Sequence, residues 1–254
     1  MKKLLVLNLA CIILMSCNRI SVVKEENGII VKTSEGITGL TVYSENIIRV
    51  RYASDDFFSN KQSLVVADSS LAKVKWDVTE TEQTIVLSTT KLMAFLDKQT
   101  GHVTFADEQG SPVLKEAGRM IEKAVVTGEQ CKRIEQRFEW QGDEGLYGLG
   151  QFQDGKMNYR GLRLQLAQQN IVDVTPVLVS SKGYGIYWDN YSLTDFIDTN
   201  YKQGQLSIGS IRSEVADQID YYYVYGPDMD HVIAGLRHLS GKAVMFGRWA
   251  YGLW

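Results

Sequence analysis

Apolar and polar positions begin to alternate at Ile29 and keep that rhythm over most of the chain. Residues 28–33, 40–43 and 47–52 are short, β-branched and alternating, with Ser44-Glu45-Asn46 as the turn between the last two. Side chains of a strand point to opposite faces in turn, so Ile48, Val50 and Tyr52 share one face. Residues 84–89, 91–96 and 102–106 repeat the pattern. Gly101 and Gly110 end the polar turns beside them, where positive φ is needed, which predicts successive hairpins. Residues 133–140 alternate again and place Ile134, Phe138 and Trp140 largely on one side; 175–180, 185–188, 206–208 and 220–225 supply further strands. So many short strands at even spacing predict a mainly β fold, a large antiparallel β-sandwich.

One segment changes period. Pro227-Asp228 offers an N-cap, Met229, Val232, Ile233, Leu236 and Leu239 recur at helical spacing, and Gly241 stands where a glycine C-cap belongs. Gly235 weakens this single C-terminal helix slightly. The stretch 243–254 is aromatic-rich, unlike the polar, loosely held end expected of a terminus, and reads as cut.

The other end reads as a secretory signal: Met1-Lys2-Lys3, then an apolar run over 4–14 that is short for a membrane span. Leu14-Met15-Ser16-Cys17 resembles the lipobox of bacterial lipoproteins, so residues 1–17 are expected to be signal peptide and lipobox, with Cys17 lipidated. Asn18 after the Cys points to the outer membrane, which places the protein in the periplasm or at the cell surface. Acyl chains tether a domain without any spanning helix, each buried methylene contributing about 0.8 kcal/mol. Of the three Cys, this leaves Cys131 alone in the mature chain, without a disulfide partner.

A net charge of −3, with basic residues scattered among acids, excludes an electrostatic nucleic-acid binder. Thirteen Tyr and five Trp are rings that either stack on sugars or fill a β core. His102, His231 and His238 form no HExxH, and His231 and His238 lie two turns apart, so no metal site is expected. Gly148-Leu149-Gly150 lacks the third glycine of a dinucleotide loop, and no cofactor is expected. Retaining glycoside hydrolysis needs two carboxyl groups about 5–5.5 Å apart on rigid elements. Asp143-Glu144, Asp195 with Asp198, and Asp228 with Asp230 lie in turns, loops or a helix start; Asp228 reads as a cap and the others as solvated loop acids. No catalytic residue is assigned.

Three segments taken in order carry a resemblance. They are Gly145-Leu146-Tyr147-Gly148-Leu149-Gly150-Gln151 with Asn158-Tyr159-Arg160-Gly161; Pro176 to Asn190; and Asp220-Tyr221-Tyr222-Tyr223-Val224-Tyr225-Gly226-Pro227 with Leu239-Ser240-Gly241-Lys242-Ala243 and Trp249-Ala250-Tyr251-Gly252. Together they resemble the N-terminal region of glycoside hydrolase family 31, the α-glucosidases and α-xylosidases. Gln151 and Gln169-Asn170 are more similar to bacterial α-xylosidase-type members. The resemblance implies a galactose mutarotase-like sandwich over 18–240, then a linker and the truncated first strand of a (β/α)8 barrel over 241–254. The family's two catalytic aspartates lie on later barrel strands. A barrel takes about 250 residues, so the chain is expected to stop before the chemistry, and the missing barrel domain is its implied partner.

The same resemblance implies that this region lends a loop to the sugar pocket. Asn170 matches the Asn of that loop; Val172 stands where many members carry an acid, with Asp173 displaced by one. Asn170, Asp173 and Trp188 are thus the candidate contacts to an α-xylosyl or α-glucosyl oligosaccharide, while Tyr147, Tyr184 and Trp188 itself have rings equally suited to a core. Two functions follow as expectations: the N-terminal part of a retaining exo-acting α-glycosidase, or a non-catalytic surface glycan-binding lipoprotein. Mutarotase activity is the poorest reading, since only His102 lies on a plausible sugar-facing strand.

Overall fold

The computed structural model describes residues 20–67 and 71–252, so the expected lipobox and Cys17 lie outside the described residues, as does Trp254. In chain order the strands are Ser21–Glu25 (β1), Gly28–Lys32 (β2), Ile37–Ser44 (β3), Ile47–Ala53 (β4), Asp77–Glu80 (β5), Thr84–Ser88 (β6), Leu92–Asp97 (β7), Val103–Asp107 (β8), Pro112–Val126 (β9), Glu129–Trp140 (β10), Leu146–Gln151 (β11), Arg163–Leu166 (β12), Asp173–Ser180 (β13), Tyr184–Trp188 (β14), Thr194–Ile197 (β15), Ser207–Ala216 (β16) and Ile219–Tyr225 (β17), followed by the helix Met229–Ser240 (α1). They form two antiparallel sheets, ordered β1-β2-β3-β4-β17-β14-β13-β11 and β12-β15-β16-β10-β9-β8-β7-β6-β5. This is the expected mainly β sandwich.

Alternation explains the core. Ile48, Val50 and Tyr52 of β4 do share the inner face, next to Tyr221 and Tyr223 of β17. From the opposite sheet Phe105 stacks on Tyr223 at 3.9 Å between ring centres, and Phe138 meets Tyr221 edge-on at 5.6 Å. Such aromatic pairs add about 0.5–1.5 kcal/mol each beyond their burial. Asp97 Oδ1 accepts from the amides of Gln99 and Thr100 and Gly101 adopts φ 68°, which closes the β7–β8 hairpin as its sequence predicted.

The helix packs on the outer side of the first sheet. Asp228 caps it by accepting from the His231 amide, and Gly241 leaves it at φ 80°. Val232 and Leu239 join Ile47, Tyr222 and Val224 in a second apolar cluster. Gly235 is what allows that approach, because a Cβ there would sit 2.5 Å from Val224 Cγ1. The buried stripe is therefore Val232, Gly235 and Leu239, and Met229 and Ile233, expected on it, are exposed.

Two further departures from expectation stand out. Residues 112–140 form one long hairpin, β9 and β10, closed by Thr127 and Gly128 with φ of 52° and 88°; only its second half is legible as alternation. At the other end no strand occurs between 241 and 252, and Trp249-Ala250-Tyr251-Gly252, expected to lead into a barrel strand, overlaps a 3-10 turn, Arg248–Tyr251. A barrel strand draws its hydrogen bonds from parallel neighbours on both sides, and among the described residues it has none. Val244, Met245, Phe246, Trp249 and Tyr251 are left 62–88 % exposed.

Candidate functional site

The loop between β12 and β13 and the first residue of β13 carry two of the three expected sugar contacts. Gln169 and Val172 exchange backbone hydrogen bonds of 3.2 and 3.3 Å, so the loop folds as a miniature hairpin with Asn170 and Ile171 at its exposed tip. Asn170 has no side-chain partner among the described residues. Asp173 is exposed at the base, where its carboxylate accepts from Gln168 Nε2 at 2.8 Å while Gln168 Oε1 accepts from the Val174 amide at 3.0 Å.

The glycine motif before this loop builds its foundation. Gly148, Leu149 and Gly150 take φ of 95°, 62° and 121°, and the register of β11 against β13 shifts at this point. A Cβ at Gly150 would lie 2.0 Å from the Asp173 carbonyl oxygen, and one at Gly148 2.4 Å from that of Val177. Glycine is needed at both for conformation and for closeness. The bulge thus sets the start of β13, and with it Asp173.

Trp188 requires a correction. Its ring is 1 % exposed, stacks on Tyr221 at 6.4 Å and donates Nε1–H to Ser213 Oγ at 2.9 Å. β14 lies between β13 and β17 with every residue buried, so no sugar reaches Trp188. Tyr184 is buried likewise, its hydroxyl donating to Glu144 Oε1, whereas Tyr147 is half-buried.

The acids also divide differently. Asp143, exposed, pairs with Lys182 at 2.6 Å, and Asp195 with Arg163 at 2.9 Å. Glu144 and Asp198, expected in solvent, are 3 % and 0 % exposed. Glu144 accepts from Ser180 Oγ, the Tyr184 hydroxyl and the Gln141 amide at 2.5–2.8 Å. Asp198 accepts from Arg160 Nε at 2.8 Å, Ser207 Oγ at 2.6 Å and the Gly161 amide at 3.0 Å. Arg160 reaches on to the carbonyls of Gln141 and Glu144, at 2.6 and 3.0 Å, and lies 4.0 Å from the Tyr201 ring. The Asn158 to Gly161 segment therefore knots the β10–β11 turn to the β15–β16 loop, and neither buried acid is placed to meet a substrate.

Burial of Glu144 raises its carboxyl pKa above the ordinary 4.5, outweighing the donors from Ser180, Tyr184 and Gln141. A raised folded pKa means stability that is fully present below the unfolded value and lost as pH climbs through the folded one. Glu144→Gln removes that descending limb. Its melting temperature relative to the parent should therefore rise as the pH climbs above 4.5; a gap that narrows instead would contradict the assignment.

Two adjacent cavities hold no opposed pair of unengaged acids. In the cavity of about 940 Å³ beneath the β9–β10 tip, Asp55 is paired with Lys132 and Asp217 with Lys61. In a neighbouring one Asp189 accepts from Ser63, Tyr187 and Tyr191, and Asp220 from Arg49. No group of three His, Cys, Asp or Glu suited to a metal occurs among the described residues. His231 Nδ1 contacts Asp228 at 2.7 Å; His102 is half-buried, and desolvation and the Arg119 cation lower its pKa.

Residues 38–196 match the glycosyl hydrolase 31 N-terminal galactose mutarotase-like domain. The chain is 34 % identical over 223 residues to an alpha-xylosidase of Saccharolobus solfataricus, covering 83 % of itself and 29 % of that protein. A family 31 alpha-xylosidase from a soil metagenome, solved with xylose, superposes with a TM-score of 0.80 at 21 % identity over 91 % of this chain and 36 % of the other. The Flavobacterium johnsoniae family 31 dextranase complexed with isomaltotriose gives 0.75 at 22 %, over 93 % and 29 %. The chain spans roughly a third of these relatives, and it belongs to the N-terminal galactose mutarotase-like domains of glycosyl hydrolase family 31.

Proposed function

We propose that the chain is the N-terminal, carbohydrate-binding and structural part of a retaining, exo-acting α-glycosidase, an α-xylosidase or α-glucosidase, and that it is catalytically incomplete by itself. The observation that carries this is the 34 % identity to an alpha-xylosidase of which the chain covers only 29 %. Support comes from the cavities described above, in which Asp55, Asp189, Asp217 and Asp220 are engaged by cations or hydroxyls, so that no two free carboxylates face each other. Retention needs a nucleophile and an acid that face one sugar, and these would come from a barrel that follows. The exposed row from Val244 to Tyr251 is apolar surface for that barrel to cover.

Asn170 and Asp173 are the residues of this chain proposed to reach the α-xylosyl or α-glucosyl unit, Asn170 from an exposed loop tip and Asp173 from the loop's base, where Gln168 holds its carboxylate. The buried rings of Tyr184 and Trp188 count against a glycan-binding surface that works alone. Cys17 is proposed to carry lipid and hold the enzyme at the outer membrane, on the grounds of the lipobox pattern.

The test has two arms. The purified chain should release neither xylose nor glucose from α-linked oligosaccharides; turnover would refute the proposal. Joined to the barrel domain proposed to complete it, it should hydrolyse them with retention and partition with membranes unless Cys17 is replaced by Ser. In that enzyme Asn170→Ala should raise KM about 2- to 10-fold, the loss of one hydrogen bond; an unchanged KM would remove Asn170 from the sugar site.

A further inference from the structure

The outer face of the first sheet holds an arginine that its strand partner has deserted. Register places Arg51 of β4 opposite Asp220 of β17, and Arg49 opposite Tyr222. Asp220 nonetheless gives both oxygens to Arg49, at 2.8 and 2.7 Å from Nε and Nη2, and accepts from Gln218 Nε2 at 2.9 Å. Arg51 makes no side-chain hydrogen bond or ion pair among the described residues, and its Nε is buried and unsatisfied. Its guanidinium lies 4.3 Å from the centre of the Phe58 ring. That stack depends on Gly39, the β3 neighbour of Arg51, where a Cβ would come to 3.0 Å from the ring.

Residues 58–67 cross over this part of the sheet. They are held by the Ser59 amide on Gln218 Oε1 at 2.9 Å, the Leu64 amide on the Tyr191 hydroxyl at 2.7 Å, and the Ala67 amide on the Leu239 carbonyl at 2.8 Å. Between crossing segment and sheet lies a cavity of about 330 Å³ whose walls include Tyr43, Arg49, Arg51, Lys61, Gln62 and Tyr222. Tyr222 donates to the Tyr43 hydroxyl at 3.4 Å, which leaves the Tyr43 proton without an acceptor among the described residues. Lys61 is balanced by Asp217 at 2.7 Å and Arg49 by Asp220, while the Asp189 carboxylate next to the cavity is held by the hydroxyls of Ser63, Tyr187 and Tyr191, so Arg51 is the cation of the cavity wall without a carboxylate in contact.

We propose that this cavity is a binding site for a small organic oxyanion, with Arg51 as its principal ligand and Tyr43 as a second donor. Buried polar groups in folded proteins are nearly always satisfied, and the half-buried Arg51 guanidinium, whose Nε is buried without an acceptor, lacks a partner that an anion would supply. The guanidinium fork fits a carboxylate or phosphate with two parallel hydrogen bonds. A cavity of this size lies at the lower end of those that hold small ligands. Desolvation and the adjacent Arg49 lower the Arg51 pKa, and the charge of a bound anion would offset both. The site is separate from the 167–173 loop, and it stands whether or not the chain serves a glycosidase.

Thermal unfolding of the whole chain in increasing inorganic phosphate or malonate, with sodium chloride holding ionic strength constant, tests it. At least one of the two should raise the melting temperature saturably, by about 2–6 °C. A response to phosphate alone marks a phosphoryl ligand, and a response to malonate a carboxylate. Arg51→Met should abolish the rise and, in buffer free of oxyanions, melt no lower than the parent. Arg51→Gln repeats the comparison with a smaller change in shape. No saturable rise in the parent, or an equal rise in both variants, would overturn the site.

Discussion

Arg160→Met should destabilise the chain by roughly 3–5 kcal/mol, the usual effect of breaking a buried ion pair from one side. The side chains of Arg160 and Asp198 are 3 % and 0 % exposed. Removal of the guanidinium leaves Asp198 with only Ser207 and the Gly161 amide, and strips a donor from the carbonyls of Gln141 and Glu144. Methionine of similar length fills the space over Tyr201 but restores none of these contacts. Lysine should rescue poorly, since one ammonium cannot span Asp198, Ser207 and two carbonyls in a plane. For a domain of this size each kcal/mol moves the melting temperature by about 2–4 °C, so the midpoint should fall by about 6–20 °C. Arg163→Met, which breaks an exposed pair with Asp195, should cost no more than about 1 kcal/mol. Equal melting temperatures for the two variants would refute the role given to Arg160.

That contrast shows where sequence reading reaches its limit. β4, β6 and β7 are visible in the sequence because buried and less buried positions alternate along them, so the period of two survives in residue type. β9 hides because Glu116 occupies a core position, where it accepts from the Val103 amide and the Tyr221 hydroxyl, each at 2.7 Å. A carboxylate on the inward side erases the alternation, and Lys115, Arg119, Glu122 and Lys123 make the rest look like a solvated segment. The acids fail for a related reason. Asp143 and Glu144 are neighbours in one turn, yet the first meets solvent and the second meets Ser180 and Tyr184, which the local sequence does not announce. The glycines of the Gly145 to Gln151 motif were legible as a motif, but their work, a bulge that fixes β11 on β13, is visible only in the pairing. The 167–173 loop was legible through resemblance alone, since an exposed Asn at a turn tip has no other signature.

Trp188→Ala should cost roughly 3–5 kcal/mol, the range for emptying a large aromatic site in a packed core. The ring lies on a strand covered on both faces, and its loss removes the stack on Tyr221 and the hydrogen bond to Ser213 Oγ. Ser213 keeps a partner in Thr194 at 2.6 Å, so the penalty comes mainly from the cavity rather than from an orphaned hydroxyl. Trp188→Phe should recover part of the loss because it retains a ring against Tyr221 while giving up the donor. A Trp that served as a sugar platform would behave in the opposite way, leaving the unfolding midpoint in place and weakening only oligosaccharide binding. Urea unfolding of the two variants separates these outcomes, and an alanine variant within 1 kcal/mol of the parent, on the order of an ordinary surface change, would return Trp188 to the surface. The expected order, parent above Phe above Ala, follows from the position of β14 between β13 and β17: a side chain there answers to the sheet on both sides before it can answer to a ligand.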